Sequence, residues 1–188
     1  MPFPLPTRTN AAVLFLDLQR EIVTNSRTVP LERLRRRAGS LAKLAALHAL
    51  PAFASSVPPG GEFLSDVLEP LPALEPRPRT QTSAFADDGL VERLRASGRT
   101  ILVLSGVATE IVVQRTALDA LAAGFQVQVA VDACGGVDPR TEEAAWRRIV
   151  QAGGVTTSCT TFGAEMTGDF RDPIGGQTLN IVYETLAP

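Results

Sequence analysis

Cysteine and histidine are scarce in this sequence: Cys134 and Cys159 are its two thiols and His48 its single imidazole. Two cysteines do not make a disulfide framework. With no CxxC or HExxH pattern, a His/Cys metal centre is excluded, because such centres cluster three or four ligands. No metal and no cofactor is expected. Aromatic residues are 5% of the chain, so the core must be built from Leu, Val, Ile and Ala. No apolar run approaches the roughly 18 residues of a membrane span. The N-terminal MPFPLPTRTN lacks the apolar stretch of a secretion signal. Neither sign of charge dominates: 18 basic against 20 acidic residues leave a net charge of −2, which gives no footprint for nucleic acid or an anionic membrane. The expectation is a cytoplasmic protein of one domain, residues 1–188, whose 45% hydrophobic content suffices for a core without staples.

What is present is an alternation of apolar runs and amphipathic stretches. Ala11 to Leu16 (AAVLFL), Pro51 to Val57 (PAFASSV), Ile101 to Ser105 (ILVLS), Gln126 to Asp132 (QVQVAVD) and Val155 to Ser158 read as strands. Continuous apolar runs of this length suit a parallel sheet buried on both faces. Leu31 to Leu50 carries Leu31, Leu34, Leu41 and Leu44 at helical spacing, with Pro30 at its start. Asp87 or Asp88 caps a helix that ends at Gly98. Thr109 is placed to cap one running to Ala123. Asp138-Pro139 opens another that ends at Gly153. PPGG at 58–61 is followed by a proline-rich segment to Pro78 that reads as irregular, apart from a short helix at Glu62 to Leu68. Residues 160–188, with Gly168, Pro173, Gly175 and Gly176, read as an irregular C-terminal arm suited to oligomer contacts.

Strand and helix alternating at least four times imply an α/β fold, three-layer α/β/α with a mostly parallel sheet of Rossmann-like, doubly wound type. Ligands of such sheets sit at the carboxyl ends of the strands. Asp17, Ser105 to Ala108 and Cys134 all follow strands and share that edge.

Four segments carry a family resemblance. LFLDLQ (Leu14 to Gln19) resembles a strand ending in V-x-D-x-Q. RTQTSAF (Arg79 to Phe85) is similar to a loop with lysine six residues before the phenylalanine of Ser-Ala-Phe. GVATEIVV (Gly106 to Val113) resembles G-V-x-T-[ED]-x-C-V, and VDACGG (Val131 to Gly136) a strand with a DA ending. Together, and in this order, they resemble the isochorismatase-like or cysteine hydrolases. That resemblance implies an aspartate that deprotonates a cysteine, a lysine that holds the charge arrangement, and attack of the thiolate on an amide or ester carbonyl. Turn amides, often beside a non-proline cis peptide, then hold the oxyanion. The positions it assigns here are Asp17, Arg79 and Val112, with Ala108, Thr109, Ile111, Phe85 and Gln19 as further ligand contacts.

Two of the three positions are substituted. Valine has no lone pair and forms no acyl intermediate. Arginine stays protonated but pairs with or clamps carboxylates. Paired with Arg79, Asp17 is expected to have a depressed pKa and to be a carboxylate. Ser105 lies in a core strand, Cys134 and Cys159 read as small buried hydrophobes, and His48, inside a Leu/Ala helix, is not placed to activate a hydroxyl. Glu110, in the first turn of the helix after Gly106, reads as complementing the helix dipole. The turn amides at Ala108 to Val112 are a binding element independent of side chains.

Three functions are compatible with these residues. The first is a degenerate hydrolase that binds a small anionic or carbonyl ligand. The second is an active hydrolase of a small amide, ester or vinyl ether, using Asp17 and water; isochorismatases proper act on a vinyl ether with the aspartate as proton donor. The third is a structural homo-oligomer.

Overall fold

The computed structural model describes residues 4–186; the ends of the expected 1–188 domain lie outside them. The chain runs β1 (Ala11–Leu16), α1 (Leu31–Leu47), β2 (Ala52–Ser56), α2 (Ser65–Leu68), β3 (Pro76–Pro78), α3 (Asp88–Ala96), β4 (Ile101–Val107), a π-helical turn (Thr109–Val113), α4 (Gln114–Ala122), β5 (Gln126–Gly135), α5 (Pro139–Gln151), β6 (Val155–Thr157), α6 (Cys159–Thr167) and α7 (Pro173–Leu186).

The strands form one parallel sheet in the order β3-β2-β1-β4-β5-β6. The chain winds outward from β1 to β3, then returns to place β4 against the free side of β1. Strand order therefore reverses between β1 and β4, where open α/β sheets open a crevice at the strand ends.

Alternate residues of each central strand face opposite layers. Ala11, Val13 and Phe15 pack with Leu34, Leu41 and Leu44 of α1 and Phe162 of α6. Ala12, Leu14 and Leu16 pack with Leu90 and Leu94 of α3, Ala117 of α4 and Ile149 of α5. Every residue of β1 and β4 is buried, so these strands read as unbroken apolar runs. The caps act locally: Asp138 accepts from the amides of Arg140 and Thr141, and Asp87 from Gly89. Among the described residues no helix is long and apolar enough to cross a membrane.

Three expectations are corrected. The proline-rich segment contains an edge strand, β3, parallel to β2. An edge position tolerates proline because one row of amides needs no partner. The expected irregular arm is helical over its described part: α6 and α7 pack on each other and α7 on α1, with His48 Nε2 2.8 Å from Thr178 Oγ1 and Lys43 Nζ 2.7 Å from Glu184. Its glycine and proline mark helix ends, Gly168 at the end of α6 with φ of 64° and Pro173 opening α7. Thr109 does not cap a helix. Ala108 precedes the π-helical turn, and the Thr109 hydroxyl donates to Glu142 Oε1 at 2.8 Å.

Candidate active site

Asp17 leaves β1 with φ of 53°, a left-handed conformation that short polar side chains enter more readily than most. Its amide donates to Ser55 O at 2.9 Å. The amide of Arg79 donates to Ser56 O at 2.9 Å, so the β2–β3 pairing delivers Arg79 to the same strand ends. The two side chains meet in a bidentate pair: Nη1 donates to Oδ1 at 2.6 Å and Nη2 to Oδ2 at 2.8 Å. Nη1 also donates to Ser55 Oγ and Nη2 to the Thr82 carbonyl. Each side chain is 1% exposed.

The expected depression of the Asp17 pKa is reversed. Burial pushes the carboxyl up, and this outweighs the Arg79 hydrogen bond and charge that pull it down. Both carboxylate oxygens nevertheless accept from Arg79, so the geometry is that of an ion pair.

Above this pair lies a cavity of about 460 Å³, within the size range of small-molecule sites. Asp17, Arg79, Val107, Ala108, Ile111 and Val112 line it, with Ile22, Asn25, Arg27, Val57, Thr80, Gln81, Thr82 and Val137. Val112 is 8% exposed and narrows the space without closing it. The Val107–Ala108 peptide is cis. The amides of Ile111, Val112 and Val113 all turn back to the carbonyl of Ala108, at 3.2, 2.9 and 3.3 Å. The expected cradle of amides from Ala108 to Val112 thus loses Ile111 and Val112 as donors to a ligand.

Three candidate contacts stand off the cavity wall. Thr109 is buried against Glu142. Phe85 stacks edge-on with Phe125, ring centres 5.7 Å apart. Gln19 bonds the backbone of Val57 and Gly61 through its amide. A motif position locates a residue along the chain, but these three are satisfied by protein neighbours.

Glu110 does more than complement a dipole. Its Oε1 accepts from the amides of Val137 and Asp138 and from Thr141 Oγ1, tying the loop after β5 to the π-helical turn. Burial raises its carboxyl, but its own backbone amide, together with Thr141, Val137 and Asp138, outweighs this and holds the group below the usual range. Ser105 Oγ donates to Ala133 O at 2.6 Å. Cys134 and Cys159 are buried away from the cavity, and burial pushes both thiols up. Among the described residues no group of three or more His, Cys, Asp or Glu side chains is placed to hold a metal. The sequence carried no signal for Asn25, Arg27 or Val137, which reach the cavity from loops beyond the motifs.

Residues 11–161 match the model of the isochorismatase domain. The chain belongs to that family. This isochorismatase domain is 27% identical over 179 residues to the probable hydrolase YcaC of Escherichia coli (strain K12), covering 93% of this chain and 86% of the relative. It superposes on YcaC from Pseudomonas aeruginosa, solved with hexane-2,5-diol and covalent acrylamide, with a TM-score of 0.92 and 27% identity over 99% of this chain and 94% of that one. The E. coli YcaC structure, an octameric hydrolase of unknown specificity, gives a TM-score of 0.89 at 26% identity over the full length of both chains. The domain therefore has the fold of these hydrolases along almost its whole length. Its cavity wall, among the described residues, contains no cysteine, serine, histidine or lysine.

Proposed function

We propose that this isochorismatase domain binds a small anionic or carbonyl ligand in the cavity above Asp17 and Arg79 and does not form a covalent intermediate with it. The observation that carries this reading is an open cavity walled by Val112 where the family motif has its nucleophile, with neither thiol of the chain on its wall. The exposed Thr80 and Thr82 have no histidine beside them, and an unactivated hydroxyl is a weak nucleophile. Asp17 is the other group that could act, by activating water, but both of its oxygens are engaged by Arg79. The assembly is proposed to be a homo-oligomer, by similarity to the octameric E. coli YcaC, with the α6–α7 segment as a contact region. Its exposed Phe170, Tyr183 and Leu186 support this.

Acrylamide, which is covalently held in the P. aeruginosa relative, supplies the test. The native chain is expected to gain no acrylamide mass at neutral pH. Val112→Cys is expected to gain one, and to react with iodoacetamide faster than free cysteine, because its thiol stands in the first turn of a helix within a cavity whose wall carries Arg27, which has no ion-pair partner among the described residues. An adduct on the native chain mapped to the cavity wall would overturn the non-covalent reading. Turnover of a small amide, ester or vinyl ether that Asp17→Asn abolishes would replace it with water activation by Asp17.

A further inference from the structure

The cavity must recognise its ligand with something other than its floor. Asp17 and Arg79 cancel each other's charge, each side chain is 1% exposed, and the terminal nitrogens of Arg79 are occupied by Asp17, Ser55 and Thr82. The amides of Ile111 and Val112 are taken by Ala108. The remaining charged residue of the wall is Arg27, which is exposed and has no ion-pair partner among the described residues. The cavity therefore carries one uncompensated positive charge, on its outer wall.

The backbone beneath Arg27 is held in place. Its amide donates to Gly136 O at 2.8 Å, and the Gly136 amide donates to Thr28 Oγ1 at 2.8 Å. Gly135 permits this approach: a Cβ there would lie 2.8 Å from the Cβ of Ser26. The next residues, Val137 and Asp138, are bound by Glu110. A run of hydrogen bonds thus joins the π-helical turn to the loop that bears Arg27 and presets the rim, which limits the ordering cost of binding.

Apart from Asn25, Thr80, Gln81 and Thr82, the rest of the wall is apolar. Val57, Val107 and Val112 line the cavity, and Ile111 and Val137 are 52% and 46% exposed at its edge. Large apolar side chains left exposed around a cavity are those a ligand or partner covers.

We infer that Arg27 is the specificity-determining residue of this cavity, and that it selects a small organic acid with a carboxylate at the rim and an aliphatic body against the valines. The inference rests on the cavity being a binding site, as proposed above. A guanidinium presents paired donors that match a carboxylate, and the apolar wall rewards a hydrocarbon chain.

Isothermal titration of the full chain with hexanoate and with its neutral primary amide, hexanamide, tests this at low ionic strength. Hexanoate is expected to bind about tenfold more tightly, a preference that shrinks as salt screens the rim charge. Arg27→Gln is expected to bring the hexanoate affinity down to that of hexanamide and leave hexanamide binding unchanged. Arg27→Lys is expected to keep part of the preference. Arg27 is exposed, so both variants should melt with the native chain. Equal binding of the two probes to the native chain, or a preference that survives Arg27→Gln, overturns the role of Arg27 and leaves the cavity reading standing. Binding of neither probe up to its solubility limit overturns both.

Discussion

Asp17→Ala is expected to destabilise the fold by about 3–5 kcal/mol, the range for removing one partner of a buried ion pair. Arg79 is then left 1% exposed with no carboxylate beside it, and a guanidinium cannot discard its proton to escape. At roughly 2–4 °C per kcal/mol for a chain of this size, the melting temperature should fall by about 6–20 °C. A loss under about 1 kcal/mol in chemical denaturation would show that water reaches the pair and that the floor of the cavity is open.

The partner substitution behaves differently, and pH separates the two. In Arg79→Met the Asp17 carboxyl keeps the burial that raises its pKa and loses the guanidinium that lowers it. Its folded pKa then stands further above the unfolded value of about 3.9. A group raised in this way contributes stability that is full below the unfolded pKa and lost as pH rises through the folded one. Arg79→Met should therefore recover relative to the native chain as pH falls from neutral toward 4, whereas Asp17→Ala should not. The double variant Asp17→Leu, Arg79→Met should lose less than Asp17→Ala alone, because no buried charge is stranded.

Gly106→Ala is the second large effect, and it arises from the β1–β4 seam. Gly106 pairs with Leu16, and a Cβ at Gly106 would lie 2.6 Å from the Leu16 Cβ and closer still to the Leu16 carbonyl oxygen. One neighbour is backbone in a fully buried central strand and cannot rotate away. Overpacking of this kind costs about 3 kcal/mol, or roughly 6–12 °C in melting temperature. The damage should extend to the site, because Gly106 stands immediately before Val107 and Ala108 of the cavity wall. A variant that melts with the native chain would show that the two strands are further apart than described.

The central strands were legible because both of their faces are buried, which leaves a continuous apolar run for each. Asp138 and Asp87 were legible because a cap acts over two or three residues. β3 was not, since it is a three-residue edge strand of which two are proline, and its strand character comes from β2 rather than from propensity. The α6–α7 pair was not legible because Gly168 and Pro173 stand at helix ends, Gly175 and Gly176 lie within α7, and local composition does not distinguish these placements from a loop. Arg27 carried no signal at all: an arginine in NSRT is ordinary until β5 and the Gly136 loop close around it.

The sequence by itself determined the periodicities that build an α/β sheet, the motif order that resembles the family, and the chemical groups available, including Val112, the valine proposed to stand at the thiol position of the family motif. Only the tertiary structure decided that a cavity remains beside that valine. It also decided that Asp17 is pushed up by burial rather than down by its partner, and that the terminal nitrogens of Arg79 are engaged while Arg27 has no ion-pair partner among the described residues. The physical reason is common to all of these. Burial, charge compensation and hydrogen-bond satisfaction are properties of neighbours in space, and the neighbours that matter here, Asp17 with Arg79 and Arg27 with Gly136, are far apart along the chain.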